Sequence, residues 1–163
     1  MDGAAGIESE DSIPRCVLVV ANRTAATPGL LSTIARRAEA GPVRFHLLVP
    51  ATPQGLHRLV DPEVSGRAEA KARLEAALPK LGEAAGAPVT GEVGDADPIA
   101  AIHDALFAQR FDEIIVSTLP RRVSRWLRLD LPSKARGFGL PVTHVEGGVA
   151  KPAPEPAMAL ASS

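Results

Sequence analysis

Two short runs of this chain are apolar without interruption, and they constrain the fold more than any other feature. Residues 16–21 read Cys-Val-Leu-Val-Val-Ala, and residues 114–116 read Ile-Ile-Val. A strand with one face in water alternates apolar and polar side chains, whereas a strand covered by helices on both faces is apolar throughout. The two runs therefore predict buried strands of a parallel sheet.

Helix signals alternate with strand signals along the chain. Thr27-Pro28 and Asp97-Pro98 each place an N-cap residue before a proline at the first helical position, which predicts helix starts. Helices are predicted over about 28–40, 63–81, from 98 and over 131–137, with Pro79 bending the second or ending it near 78. Strands are predicted at 16–21, 43–49, 88–93, 112–117 and 141–145. Because the two element types alternate, we expect a doubly wound α/β fold with a five-stranded parallel sheet.

The chain has the size of one domain, and its two ends differ from its middle. Its 163 residues are 45% hydrophobic, which is enough for one core. Residues 1–13 are small and acidic, and residues 148–163 are rich in proline and alanine, so neither end buries enough side chain to offset the entropy of ordering. We predict one domain over 14–147 between two disordered tails.

Charge and cysteine content narrow the class of protein. The net charge of −1 provides no attraction to nucleic acid or to an anionic membrane, so neither is an expected partner. The single cysteine, Cys16, excludes an intramolecular disulfide, which is typical of a reducing compartment. The N-terminal residues lack the basic and apolar regions of a signal peptide, and no apolar run reaches the length of a membrane span. We therefore predict a cytoplasmic protein.

Catalytic and metal sites are not predicted. The four histidines fall on different elements without metal-ligand spacing, namely His46, His57, His103 and His144. No G-x-S-x-G, G-x-x-x-x-G-K-[S/T] or G-x-G-x-x-G motif occurs. The sequence thus predicts a protein that is not an enzyme, with no metal and no bound cofactor.

The sequence resembles the universal stress protein family over nearly all of residues 15–146. The resemblance rests on Ala-Asn-Arg-Thr at 21–24, Gly-Asp-Ala-Asp-Pro at 94–98, Phe-Asp-Glu-Ile-Ile-Val at 111–116 and Pro-Val-Thr-His-Val at 141–145. It implies the doubly wound fold of the adenine nucleotide alpha hydrolase-like type, and a homodimer. In such folds ligands bind outside the carboxyl ends of the strands, where the strand order switches.

The chain departs from the family at the positions that bind ATP. Nucleotide-binding members carry an acidic residue after the first strand, and a glycine-rich loop after the fourth whose amides surround the phosphates. Here Asn22 replaces the acidic residue, although Thr24 keeps the hydroxyl that follows. Thr118 and Arg121 stand at the loop glycines, and Leu129-Asp130 at the final Gly-Ser pair. We expect no triphosphate held in the family manner, which leaves ATP or AMP doubtful as a ligand.

The arginines after the fourth strand allow two interpretations. These arginines are Arg121, Arg122, Arg125 and Arg128. In the first interpretation their guanidinium groups replace the missing amides and hold an anion together with the hydroxyls at the strand end. In the second they are a solvated face, and Asp130 caps the last helix. The hydrophobic residues that would then anchor the loop on the core are Trp126, Leu127, Leu129 and Leu131.

Two functions are therefore expected. The first is a non-catalytic, stress-related regulatory or adaptor protein, a homodimer that pairs through a sheet-edge strand containing Val142, Thr143, His144 and Val145. The alternative is a sensor of a nucleotide or another small anion, bound through the Arg-rich loop. Its candidate ligand-binding residues are Ala21, Asn22, Thr24, Val49, Ser117, Thr118, Arg121, Arg122, Arg125 and Asp130.

Overall fold

The computed structural model describes residues 13–52 and 62–147, with side chains from residue 66 onward in the second range. The predictions for the two tails lie outside these residues, except at Ile13, which is exposed. The sequence also predicts a turn-rich loop through Pro53, Gly55 and Pro62 after the second strand. Residues 53–61 lie outside the described residues, and Pro62 begins a helix instead.

Five strands form one parallel sheet in the order β3-β2-β1-β4-β5. They are β1 (Arg15–Val20), β2 (Val43–Pro50), β3 (Thr90–Gly94), β4 (Glu113–Thr118) and β5 (Val142–Glu146). The expected five-stranded parallel sheet is confirmed. The chain winds from β1 outward to β2 and β3, then returns to β4 beside β1, so the order switches between β1 and β4. A ligand cleft is expected at the carboxyl ends of these two strands.

Helices cover both faces of the sheet. They are α1 (Pro28–Ala40), α2 (Pro62–Ala85), α3 (Pro98–Ala108), α4 (Arg125–Arg128) and α5 (Leu131–Arg136). Buried residues of α1 and α2 pack on one face, and buried residues of α3, α4 and α5 pack on the other. Every residue of β4 is buried, and so are the last four of β1. Coverage on both faces explains why these strands are apolar without alternation.

The long helix α2 continues through Pro79 to Ala85, so the predicted end near residue 78 is wrong. Proline removes one backbone hydrogen bond and crowds the preceding turn, a cost of about 3 kcal/mol in a helix interior. Ala77 and Leu81 lie on either side of Pro79, and both are buried in the core beneath the helix. Their packing offsets the cost, which periodicity alone does not reveal.

Helix capping follows the prediction at Asp97 and differs at Asp130. The Asp97 carboxylate accepts a hydrogen bond from the Ile99 amide at the start of α3. Asp130 holds the N-cap position of α5, but its backbone is left-handed, with φ of 59°, and its side chain makes no capping bond. Asparagine and aspartate tolerate this conformation better than other side chains with a Cβ. Asp130 therefore serves the turn through its backbone.

The loop between β4 and α5 contains a helical turn that the sequence analysis did not predict. Ser124 caps it, since its hydroxyl accepts a hydrogen bond from the Leu127 amide at 3.1 Å. Trp126 and Leu131 are buried, as expected for residues that anchor the loop. Leu129 is 50% exposed, so its predicted anchoring role is wrong.

Within the described part of the chain, no helix combines the length and the apolar character needed to cross a bilayer.

Candidate functional site

A cavity of about 230 Å³ opens at the carboxyl ends of β1 and β4, where the strand order switches. The described residues that line it come from the turns after β1 and β2, from the end of β4 and from the segment between β4 and α5. They are Asn22, Arg23, Thr24, Thr52, Ser117, Thr118, Leu119, Val123, Ser124, Arg125, Trp126 and Arg128. We call this cavity the cleft.

Two buried hydroxyls join β1 to β4 at the cleft. Thr24 Oγ1 and Ser117 Oγ lie 2.7 Å apart, and either can donate the hydrogen bond. Each of these residues is only 1% exposed. A hydroxyl buried without a partner is costly, so each holds the other in place. One hydroxyl proton is used between them, and the other can be offered to a ligand.

The Asn22 side chain ties the end of β1 to β2 and to α2. Its Nδ2 donates to the Pro50 carbonyl oxygen at 2.7 Å, and its Oδ1 accepts from the Arg73 guanidinium at 2.5 Å. An aspartate at position 22 has no N–H to donate to Pro50, so the amide suits this contact better than the family's acidic residue. Arg73 was not among the predicted site residues, because its only signal in the sequence is helical spacing with Glu69.

Thr118 at the end of β4 links the cleft to the edge strand β5. Its Oγ1 lies 2.8 Å from His144 Nε2, and its carbonyl oxygen accepts from the Gly147 amide at 2.6 Å. A Cβ at Gly147 would lie 3.0 Å from both Thr24 and Thr27 side-chain atoms, so the chain after β5 packs closely against the turn after β1.

His144 is the described histidine whose environment clearly shifts its titration. His144 is exposed on the edge strand as a whole, but partial burial of its ring lowers its pKa below the usual 6.5. The nearby Glu146 carboxylate opposes this shift, and Arg136 adds to it. Burial has this effect because it disfavours the charged imidazolium. The imidazole is therefore mainly neutral at neutral pH.

Six backbone amides of the loop after β4 donate to partners within the chain. Pro120 has no amide proton, and the Arg121 amide donates to the Glu146 carboxylate at 2.7 Å. Other committed amides are those of Val123, Leu127, Arg128, Leu129 and Asp130. A phosphate-binding loop needs several amides that converge on one anion. In this loop six amides bond to acceptors within the chain instead.

The cleft is lined by cationic and neutral polar side chains. Its three arginines are Arg23, Arg125 and Arg128, and they have exposed surface from which to reach a ligand. None of the described lining residues carries a carboxylate, and none of the three arginines forms an ion pair with a described residue. The charge of this surface therefore favours an anion.

The structure brings together half of the ten residues that the sequence analysis nominated. Asn22, Thr24, Ser117, Thr118 and Arg125 line the cleft. The others lie elsewhere: Ala21 and Val49 are fully buried in the core, and Arg121, Arg122 and Asp130 are exposed outside the lining. Only two of the four arginines after β4 line the cleft, because the helical turn α4 places Arg125 and Arg128 beside it.

Seven of the described lining residues were not nominated as ligand-binding, although sequence signals existed for some. They are Arg23, Thr52, Leu119, Val123, Ser124, Trp126 and Arg128. Arg23 lies between two nominated residues in the same turn, and Arg128 belongs to the arginine run. Ser124 precedes a helical turn, and serine is a preferred N-cap. Thr52 lies in the turn after β2, and nothing in the surrounding sequence indicates a ligand-binding role.

Among the described residues, no three His, Cys, Asp or Glu side chains are placed to hold a metal ion. His46 contacts Thr90 and Glu92 on β3, and His103 lies beside Asp104 on α3, so neither reaches the cleft. The Thr118 hydroxyl of the cleft is paired with the His144 imidazole of β5, and no hydrogen bond is seen from another described residue to the second ring nitrogen of that histidine.

No protein-family model and no curated protein matches the sequence. Solved structures do match the fold. A universal stress protein from Archaeoglobus fulgidus aligns with a TM-score of 0.58 at 15% identity, covering 86% of this chain and 99% of that chain. Another from the same organism, in complex with dAMP, has a TM-score of 0.53 at 19% identity and covers 83% and 99%.

A universal stress protein family member from Arabidopsis thaliana with AMP bound gives a TM-score of 0.57 at 16% identity, covering 83% of this chain and 94% of that chain. With identities this low, the structural alignments establish a shared fold and no more. This chain therefore has the fold of universal stress proteins, as the sequence resemblance predicted.

Proposed function

We propose, starting from a fold shared with universal stress proteins, that this chain is a non-catalytic protein whose cleft binds a small phosphorylated or carboxylic ligand. The observation that carries the proposal is the lining of the cleft. Three arginines, an amide and several hydroxyls surround it, and none of the described lining residues is acidic.

Guanidinium groups bind phosphate and carboxylate oxygens through paired hydrogen bonds, so they can replace amides in holding an anion. Arg125 and Arg128 belong to the same helical turn, and Arg23 reaches the cleft from the turn after β1. The Thr24 and Ser117 pair adds a hydroxyl donor at the strand ends. The site recognises an anion through side chains.

The loop after β4 supports a monophosphate over a triphosphate as the ligand. Six of its amides already bond to acceptors within the chain, so fewer donors remain for a chain of phosphates. Relatives of the same fold were solved with AMP and dAMP, so AMP is the first ligand to test.

Calorimetric titration with AMP, ATP and inorganic phosphate tests the proposal. We expect AMP to bind more tightly than ATP. Arg125→Ala and Arg128→Ala should each weaken binding about 10-fold to 100-fold, because a hydrogen bond to a charged group contributes about 1.5–3 kcal/mol. Arg121→Ala and Arg122→Ala are matched controls, because they remove the same charge from the same loop outside the cleft. Equal losses in all four variants, or no heat with any anion, would refute the proposal.

A second proposed role is that of a stress-related regulatory or adaptor protein that works as a homodimer. The supporting observation is that β5 lies at the edge of the sheet, with Thr143 and His144 exposed. An edge strand carries unpaired backbone groups that can pair with a second copy. The predictions of a cytoplasmic location and of no nucleic acid partner stay predictions.

Sedimentation over a concentration series tests the dimer. We expect a dimer whose dissociation constant rises in Thr143→Glu, since two-fold pairing would bring the two introduced charges together. Ser32→Glu places the same charge on the exposed face of α1 and should leave the dimer intact. A monomer at every concentration would exclude pairing through β5.

A further inference from the structure

The contact between Thr118 and His144 connects the cleft to the edge strand. Thr118 lines the cleft and is 2% exposed, so its hydroxyl has few possible partners. His144 Nε2 lies 2.8 Å from that hydroxyl, which is an ordinary hydrogen-bond distance. The two side chains belong to neighbouring strands, whose register also pairs Val116 with His144.

The proton of this hydrogen bond can come from either residue. When Nε2 is unprotonated it accepts the Thr118 proton, and the hydroxyl then has no proton left for the cleft. When Nε2 carries a proton it donates to Oγ1, and the Thr118 hydroxyl can donate elsewhere. An anion offers acceptors only, so it gains from the second arrangement.

We infer that His144 is a positioning residue of the cleft, which donates its Nε2 proton to Thr118 Oγ1 and so directs the Thr118 hydroxyl proton to a bound anion. The inference rests on the proposed anion-binding function and adds a proton-linked regulation to it. The proton can be supplied in two ways. Neutral His144 can adopt the Nε2–H tautomer, or the ring can take up a proton and become the imidazolium.

The surroundings of His144 determine the direction of this linkage. Charged groups acting on the ring are Glu146 on the same strand and Arg136 at the end of α5, while the neighbouring strand β4 contributes the Thr118 hydroxyl. In the free protein burial holds the pKa of His144 below 6.5. A bound anion raises that pKa, since it favours the imidazolium and its Nε2–H bond. Anion affinity is therefore highest below the free-protein pKa and falls as pH rises through the pKa of the complex.

Calorimetry with AMP between pH 5.5 and pH 8, in buffers of different ionisation enthalpy, measures the protons taken up on binding. The phosphate of AMP also titrates in this range, with a pKa of about 6. The number of protons taken up must therefore be compared between the natural protein and His144→Gln. The contribution of the phosphate is the same in both proteins and cancels in the difference. Glutamine keeps a hydrogen-bonding group near Thr118 but cannot titrate. His103→Gln is the matched control, because that histidine is exposed on α3.

We expect the affinity ratio of the natural protein to His144→Gln to rise as pH falls, about tenfold for each unit by which AMP raises the histidine pKa. Thr118→Val should remove the same linkage, and His103→Gln should retain it. Nitrogen NMR of the ring should show a protonated Nε2 in the AMP complex at pH 7.

The outcomes separate the two proposals. AMP binding with an equal pH dependence in the natural protein and in His144→Gln overturns the proton-linked regulation. An unprotonated Nε2 in the complex overturns the positioning role of His144. Either result leaves the binding function standing. Absence of binding at every pH overturns the binding function and the role of His144 together. His144 NMR in the free protein should then still show the pKa lowered by burial.

Discussion

The buried hydroxyl pair of Thr24 and Ser117 allows a quantitative test of how the cleft is held together. Both side chains are 1% exposed and their oxygens are 2.7 Å apart. A hydrogen bond of this kind contributes about 1 kcal/mol, and a buried polar group left without a partner costs about 1–3 kcal/mol. Because the cleft beside the pair can admit water, the cost should fall in the lower part of that range.

We expect Ser117→Ala and Thr24→Val each to lower the free energy of unfolding by about 1–2 kcal/mol. For a chain of this size 1 kcal/mol corresponds to about 2–4 °C in Tm. The double variant should lose less than the sum of the two, with a coupling free energy of about 1 kcal/mol, because it leaves no hydroxyl without its partner. Valine keeps the shape of threonine, so the Thr24 variant mainly removes the hydroxyl.

Urea denaturation of the four proteins measures the cycle, and calorimetry with AMP should show weaker binding in all three variants. Thr33→Val is a suitable control, since its hydroxyl bonds a carbonyl within α1 on the exposed surface. Strictly additive losses would show that the two hydroxyls do not depend on each other. Unchanged AMP affinity in the double variant would show that neither hydroxyl contacts the ligand.

Three further predictions follow from single residues. Trp126 is the only tryptophan and lines the cleft, so its fluorescence should change as AMP is added and should stay constant when ligand binding is abolished. Gly91→Ala should lower the free energy of unfolding, measured by urea denaturation, by about 1–3 kcal/mol, because the added Cβ would lie 2.9 Å from a backbone oxygen. Gly41→Ala is the control: its Cβ meets no atom within 4 Å, so the free energy of unfolding should stay unchanged. Because the pKa of His144 is lowered in the folded protein, its contribution to stability should be present above pH 6.5 and lost as pH falls through the folded pKa. In His144→Gln the free energy of unfolding should depend less on pH in this range.

The parallel sheet could be read from the sequence, because burial on both faces leaves a local signature. Each residue of an apolar run is excluded from water whatever its tertiary neighbours are, so residues 17–20 and 114–116 predict their own environment. The N-cap role of Asp97 could be predicted for a similar reason, since its side chain bonds an amide only two residues away. The likeness to universal stress proteins was also present in these segments, and the fold comparison confirms it.

The local sequence did not predict which of the arginines after β4 line the cleft. Four of them follow β4, and the sequence did not distinguish those that line the cleft from those that face away. The Ser124 cap starts a helical turn that places Arg125 and Arg128 on the cleft side. Pro79 is a second case, because the burial of neighbouring side chains decided whether the helix continued.

What the sequence by itself determined was the order of the elements, the parallel sheet and the loss of a glycine-rich phosphate loop. Each of these depends on residue types within a few positions of one another. Only the tertiary structure decided that Asn22 meets Arg73, 51 residues away, and that Thr118 meets His144, 26 residues away. Such contacts form between segments brought together by the packing of helices on the sheet, so no local pattern encodes them.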